Sequence, residues 1–246
     1  MIYSDKANRI NLYHCWKLLV SMTYRHEFKY TLNVADYLIV RERLKHIAEL
    51  DSHADASGTY KVRSLYFETP TDKVLNEKLY GIPEREKFRI RLYNNDTYFL
   101  RLEKKIKNIN ATKKITCPIS RKETNAILSG EFDWMLDSQS ALIAELYAKM
   151  AYQQLRPRTI VEYDRECWIY DPGNVRITFD MNLSTGITST DFLNPDVVLT
   201  KALENPLVIM EVKYDAYLPT IIRGMIQVSN RRMSAFSKYA TARILG

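Results

Sequence analysis

Cysteine is scarce in this 246-residue sequence, where Cys15, Cys117 and Cys167 are odd in number and widely spaced. They offer neither a disulfide framework nor the paired spacing of a zinc site, which points to a reduced, cytoplasmic chain. Glycine is also rare, with seven in the chain, and no glycine-rich phosphate loop is formed. The four histidines belong to no serine, histidine and aspartate constellation. Nothing approaches the roughly 18 apolar residues that a membrane-spanning helix requires. Leu18-Leu19-Val20, preceded by Lys17, is too short for a secretory core. Internal repeats and low-complexity tracts are missing too.

What remains is a chain with 46% hydrophobic residues, enough for a sizeable core in one domain. Residues 1–21 show no clear period and are set apart as an N-terminal extension, leaving 22–246 as the domain. The net charge of +7 favours an anionic partner without choosing among nucleic acid, acidic lipid and small phosphates. Its location is more telling. Between Arg85 and Lys114 stand ten Lys or Arg against three acids, Glu86, Asp96 and Glu103, while the rest of the chain is balanced. Such concentration suggests a local anion site.

Strand signals cover Tyr24–Leu32, Tyr60–Thr69, Phe88–Tyr93, Tyr98–Ile106, Lys113–Pro118, Arg158–Tyr170, Val175–Asp180 and Leu207–Tyr214. Asn94-Asn95-Asp96-Thr97 reads as a hairpin turn, and Asp171-Pro172-Gly173-Asn174 as another. Asn33 caps a helix that places Val34, Tyr37, Leu38, Leu44, Ile47 and Ala48 on one side. Ser120-Arg121-Lys122-Glu123 has capping-box spacing, a further helix runs from Ser140 to Leu155, and the part from Pro219 onward reads as helical. Hairpin distances without βαβ alternation favour an α+β fold built on a closed or nearly closed antiparallel barrel.

Alternate strand residues share a face, so Arg85, Lys87, Arg89 and Arg91 oppose Phe88, Ile90 and Leu92. Arg101, Glu103 and Lys105 repeat the pattern, as do Glu27 with Lys29, Arg176 with Thr178 and Asp180, and Glu211 with Lys213. Outer helices need the apolar faces, which turns the charged faces toward one another inside the barrel. A repeated anion such as a polyphosphate would pair with such cations through charge-assisted, often bidentate hydrogen bonds. Glu27, Glu103, Asp180 and Glu211 are either internal salt-bridge partners or oxygen ligands for magnesium or manganese. Both roles can hold at once.

Eight short motifs then follow one another in the order known from one family. They are Arg25-His26-Glu27-Phe28-Lys29-Tyr30, Arg63-Ser64-Leu65-Tyr66-Phe67-Glu68-Thr69, Lys87-Phe88-Arg89-Ile90-Arg91-Leu92-Tyr93, Leu102-Glu103-Lys104-Lys105, Glu162-Tyr163-Asp164-Arg165, Val175-Arg176-Ile177-Thr178-Phe179-Asp180, Met210-Glu211-Val212-Lys213-Tyr214 and Phe236-Ser237-Lys238-Tyr239. From about residue 22 to 240 the chain resembles the VTC domain, the catalytic part of vacuolar transporter chaperone polyphosphate polymerases, within the triphosphate tunnel metalloenzyme superfamily. Arg25 stands where the CYTH-type Glu-x-Glu-x-Lys signature has its first glutamate, which favours the VTC branch.

The resemblance implies an eight-stranded antiparallel tunnel with helices outside and a C-terminal helix at one mouth. It implies transfer of the terminal phosphate of ATP to inorganic polyphosphate with Mn2+ or Mg2+. Arg89, Arg91, Lys105, Arg165 and Lys238 are then the expected catalytic cations. Lys29, Lys87, Arg101, Lys114 and Lys213 join them on the phosphates, with Arg63 and Arg176 as additions. Glu211 is the expected metal ligand, with Glu103, Glu27 and Asp180 as further candidates. A triphosphatase and a non-catalytic polyphosphate-binding module are the alternatives, and Lys104, Lys107 and Lys113 are a candidate exit path for product. Nucleic acid is not expected as a partner, whereas a membrane protein receiving the product is compatible with a peripheral location. His26 is read as structural. Lys238 is expected on a helix whose removal after Phe236 costs activity more than folding.

Overall fold

The computed structural model describes residues 25–109, 111–203, 206–229, 232–233 and 235–244, without the side chains of Ala111 and Arg232. The expected extension at 1–21 lies outside these residues. Eight long strands form the body: β1 (His26–Leu32), β3 (Thr59–Glu68), β4 (Arg85–Tyr93), β5 (Leu100–Asn108), β6 (Ala111–Ile119), β7 (Arg156–Tyr170), β8 (Val175–Thr185) and β10 (Val208–Tyr214). They lie in the order β1-β10-β8-β7-β3-β4-β5-β6, and each neighbouring pair is antiparallel. Three two-residue strands are appended: β2 (Glu49–Leu50), β9 (Thr200–Lys201) and β11 (Arg232–Met233). The expected α+β fold is present as a strongly curled half-barrel.

Closure is incomplete in the backbone. Among the described residues β1 and β6 share no ladder, and β1 ends the row of long strands with only β11 beside it, at Tyr30 and Thr31. Lys105 Nζ of β5 nevertheless lies 3.5 Å from Glu27 Oε2 of β1, so side chains span the gap. No helix among the described residues is long and apolar enough to cross a membrane.

Strand parity sets the layers. Phe88, Ile90, Leu92, Leu100 and Leu102 face outward into a core shared with α3 (Arg121–Leu128) and α4 (Ala141–Tyr152), which contributes Leu142, Leu146 and Met150. A second outer core joins Ile177, Phe179, Met210 and Val212 to α1 (Val34–Leu44) and α5 (Thr220–Met225). The capping box forms as expected, with Ser120 N–H donating to Glu123 Oε2 at 2.7 Å and Glu123 N–H donating to Ser120 Oγ at 3.1 Å.

Four local expectations are corrected. The buried stripe of α1 is Tyr37, Val40 and Leu44, while Val34 and Leu38 are exposed; Ile47 and Ala48 reach the core from the loop after the helix. The expected β4–β5 hairpin forms, but its connection spans six residues, with Asn94 and Asn95 at left-handed φ of 48° and 57° and Asn94 docked on Lys61 of β3. The helix α2 (Lys73–Leu79) was not foreseen, since its seven residues are too few to show a period.

The fourth correction concerns the C-terminus, which holds α5, the short β11 and α6 (Lys238–Ile244) instead of continuous helix. The helix α6 packs Tyr239, Ala240 and Ala242 against inward residues Tyr60, Val62, Tyr66 and Tyr163. The Tyr239 hydroxyl donates to Glu68, whose carboxylate also accepts the Val74 and Leu75 N–H groups at the start of α2, each at 2.9 Å. This helix is therefore part of the core, and its removal is expected to cost folding as well as activity. Tyr239→Phe, which strips one donor from the buried Glu68, is expected to lower stability by about 1–3 kcal/mol, and truncation after Phe236 by more, as read by urea denaturation.

Candidate functional site

The inward faces of the strands bound a cavity of about 500 Å³. Seven of the eight long strands reach it, together with α2 and the segment 235–239. Its wall is cationic: Lys29 from β1, Arg85, Lys87, Arg89 and Arg91 from β4, Lys105 and Lys107 from β5, Arg165 from β7, Lys213 from β10 and Lys238 from α6. The long run of positive charge in the sequence thus forms only one side of the site.

Carboxylates interleave these cations. Glu211 is the hub, with Oε1 at 3.1 Å from Lys29 Nζ and 3.0 Å from Lys238 Nζ, and Oε2 at 3.1 Å from Lys213 Nζ. Asp180 takes a bidentate pair from Arg165, Nε–Oδ1 at 2.6 Å and Nη2–Oδ2 at 2.8 Å, and lies 2.5 Å from Lys238. Glu103 binds Arg89 at 2.7 Å and Lys114 at 3.2 Å, with Arg91 at 3.9 Å. Glu27 meets Lys29 at 2.9 Å as well as Lys105.

Burial alone would raise the pKa of every one of these acids, and the surrounding cations reverse the sign. Lys29, Lys105 and Lys213 hold Glu27 at about 2 against its burial and the Glu211 charge. Burial opposes the ionised forms of Glu211, Asp180 and Glu103 as well, yet each is held below its ordinary range. The cations responsible are Lys238, Lys213 and Lys29 for Glu211, Arg165 and Lys238 for Asp180, and Arg89, Arg91 and Lys114 for Glu103. Lys238 is raised by Asp180 and Glu211 despite its burial. The exception is Lys87, which burial drives down to about 7, aided by Lys105, Arg89 and Lys29 and resisted by Tyr66. Tyr66 also comes to about 7, because Arg89, Lys87 and Arg91 outweigh its burial.

Of the expected cations, the structure brings Lys29, Lys87, Arg89, Arg91, Lys105, Arg165, Lys213 and Lys238 together in the cavity wall. Lys114 stands at the margin, more than half exposed, and steadies Glu103. Three others lie elsewhere. Arg63 has the opposite strand parity from Tyr66 and is spent on Glu162 at 2.6 Å and on the Asn194 carbonyl at 2.6 Å. Arg176 donates to Asp51 at 3.0 Å and to the Tyr60 hydroxyl at 2.9 Å, outside the cavity wall. Arg101 is drawn over the Phe99 ring, 4.5 Å from its centroid.

The expected exit path does not form, because Lys104 faces outward to Glu86 and Glu145 and Lys113 is exposed on the same outer parity. Only Lys107 of the three lines the cavity. His26 stacks on Tyr214 with centroids 5.1 Å apart. Sequence reasoning missed Tyr66, Tyr163 and Lys78. Parity could have revealed the two tyrosines, since Ser64 and Tyr66 point inward where Arg63 cannot, but Lys78 sits on the unforeseen α2.

A curled antiparallel half-barrel whose concave face is a ring of lysines and arginines defines a class, the tunnel-fold enzymes that handle triphosphate-like anions. The chain belongs to the VTC-domain family, whose model matches residues 24–245. No curated protein matches it. Among solved structures it is similar to an adenylate cyclase candidate from Bacillus halodurans, at 14% identity over 78% of this chain and 80% of that one, with a TM-score of 0.48. A protein from Pyrococcus horikoshii OT3 is similar at 14% identity over 82% of this chain and 84% of that one, with a TM-score of 0.41.

Two outcomes follow from the interleaved charges. Asp180→Asn leaves Arg165 and Lys238 buried without their counter-charge, so unfolding free energy should drop by about 3–5 kcal/mol, with partial recovery on adding tripolyphosphate. Glu27 is depressed from 4.5 to about 2, so its stabilisation is complete above 4.5 and is lost as pH falls through about 2. Denaturation between pH 5 and 2 should accordingly show a shallower acid limb for Glu27→Gln than for the unmodified protein.

Proposed function

We propose that this protein is a metal-dependent polyphosphate polymerase, which moves the terminal phosphate of ATP onto a growing inorganic polyphosphate chain. The observation that supports it is the convergence of ten lysines and arginines from five strands and the C-terminal helix on one cavity. Phosphoryl transfer asks little covalent chemistry of a protein and much positioning and charge stabilisation. Arg89, Arg91 and Arg165 supply planar forks suited to bidentate contacts with phosphate oxygens, and Lys29, Lys105, Lys213 and Lys238 supply point charges that can follow a moving chain. A phosphate acceptor is already anionic, so no general base is required of the protein.

The donor chemistry fits a hard divalent ion, Mn2+ or Mg2+, at one place. Glu27 and Glu211 are neighbours on β1 and β10 and share Lys29 between them. Beside Glu211 in register, Thr178 carries a buried hydroxyl with no partner among the described residues, a place for a hydrating oxygen. Since no group of three metal-binding side chains forms among the described residues, phosphate oxygens would complete the coordination. When bound, the ion would neutralise charge on the phosphates. Asp180 and Glu103 are assigned instead to holding Arg165, Lys238, Arg89 and Arg91 in place.

A triphosphatase is the second reading, and the outward turn of Lys104 and Lys113 favours it, because they provide no basic path beyond the cavity. Incubation with labelled ATP and Mn2+ separates the two. Long chains sensitive to exopolyphosphatase are expected; free phosphate alone would establish the hydrolase. Neither product, with tripolyphosphate still bound, would leave a binding module. Glu211→Gln is expected to reduce turnover about a hundredfold or more in a protein that remains folded by circular dichroism, and undiminished turnover would remove Glu211 from the site.

A further inference from the structure

Lys87 differs from most of the cavity cations in what holds it. Lys29, Arg89, Arg91, Lys105, Arg165, Lys213 and Lys238 each lie within 4 Å of a carboxylate. Among the described residues no such ion pair forms at Lys87, nor at Lys78, Arg85 or Lys107, which also line the cavity. Its ammonium nitrogen sits instead 5.3 Å from the centroid of the Tyr66 ring and 5.9 Å from that of Tyr239. The charged groups facing it are Tyr66 from β3, Arg89 from its own strand, Lys105 from β5 and Lys29 from β1. Tyr239, whose hydroxyl is tied to Glu68, adds only a ring face from α6. Three cations, the Tyr66 phenol and two ring faces are therefore the groups set against it.

Such a setting makes the charged form of this lysine dependent on what occupies the cavity. Ring faces stabilise a cation weakly compared with a carboxylate, and three like charges oppose it. A phosphate chain reverses the balance, since its oxygens replace the missing carboxylate. On the proposed phosphate-binding role, we infer that Lys87 is a proton-linked contact, largely uncharged in the free protein and protonated when a phosphate chain binds beside it. Lysine suits this task where arginine does not, because arginine stays charged in any protein environment. The free cavity avoids a further buried repulsion, and the bound cavity gains a cation.

The consequence is a proton taken up on binding. Tripolyphosphate titrated calorimetrically at pH 8, without metal, in two buffers of different ionisation enthalpy, reports the protons exchanged. Protons exchanged by the ligand itself are common to all variants, so differences between variants isolate the side chain. The unmodified protein is expected to take up about one proton more than Lys87→Arg, and the ratio of their dissociation constants should grow by up to about tenfold per pH unit above 7. Tyr66→Phe keeps the ring and removes the hydroxyl, and should retain the uptake. Equal uptake in Lys87→Arg and the unmodified protein overturns the inference while leaving phosphate binding intact. Uptake lost in Tyr66→Phe and kept in Lys87→Arg overturns it too, by moving the proton to the phenol. If no variant binds tripolyphosphate, the proposed function fails, and the inference with it.

Discussion

Cations of one sign cannot be crowded into a buried space unless counter-charges are set among them, and this constraint governs the interior. Three carboxylates, Glu211, Asp180 and Glu103, carry most of that burden. Each touches two or three cations, from different strands or from α6, so each also ties distant parts of the chain to a common point. Their cost of burial is offset by those cations. Stability of the free protein and readiness for an anion thus arise from the same pairs.

The outer layers answer a different demand. Because the charged faces turn inward, the apolar faces of the strands are left to be covered, and α1, α3, α4 and α5 cover them. The inward apolar cluster is smaller and depends on α6, whose Tyr239 and alanines close over Tyr66 and Tyr163. Lys238 opens this helix and reaches Asp180 and Glu211 from above the sheet. One short helix therefore joins the hydrophobic interior to the charged one.

Much of this was legible in the sequence because strands impose a period of two, and the period does not depend on knowing which strands are neighbours. Alternation at Arg85–Leu92 and Met210–Tyr214 sufficed to say which side chains share a face. It could not say how far along the tunnel each would lie, and Arg101 and Arg176 have the inward parity without reaching the cavity. Arg63 was carried over with its motif, although its parity points it outward to Glu162. Short elements such as α2 left no periodic trace, and Lys78 went unseen with it. The assignment of Glu211 and Lys238 to one point, across 27 residues and two kinds of secondary structure, came from motif resemblance and not from local pattern.

The gap between β1 and β6 has a mechanical meaning. Elsewhere the wall is held by backbone ladders that salt does not weaken, whereas here the rim is spanned by Lys105 and Glu27 at 3.5 Å, both partly exposed. A contact of this sort is sensitive to ionic strength, and on the proposed function Lys105 is also a cation for which an incoming phosphate chain would compete. One seam of the wall thus rests on charge where the others rest on backbone, and on the proposed function that same charge would meet the ligand.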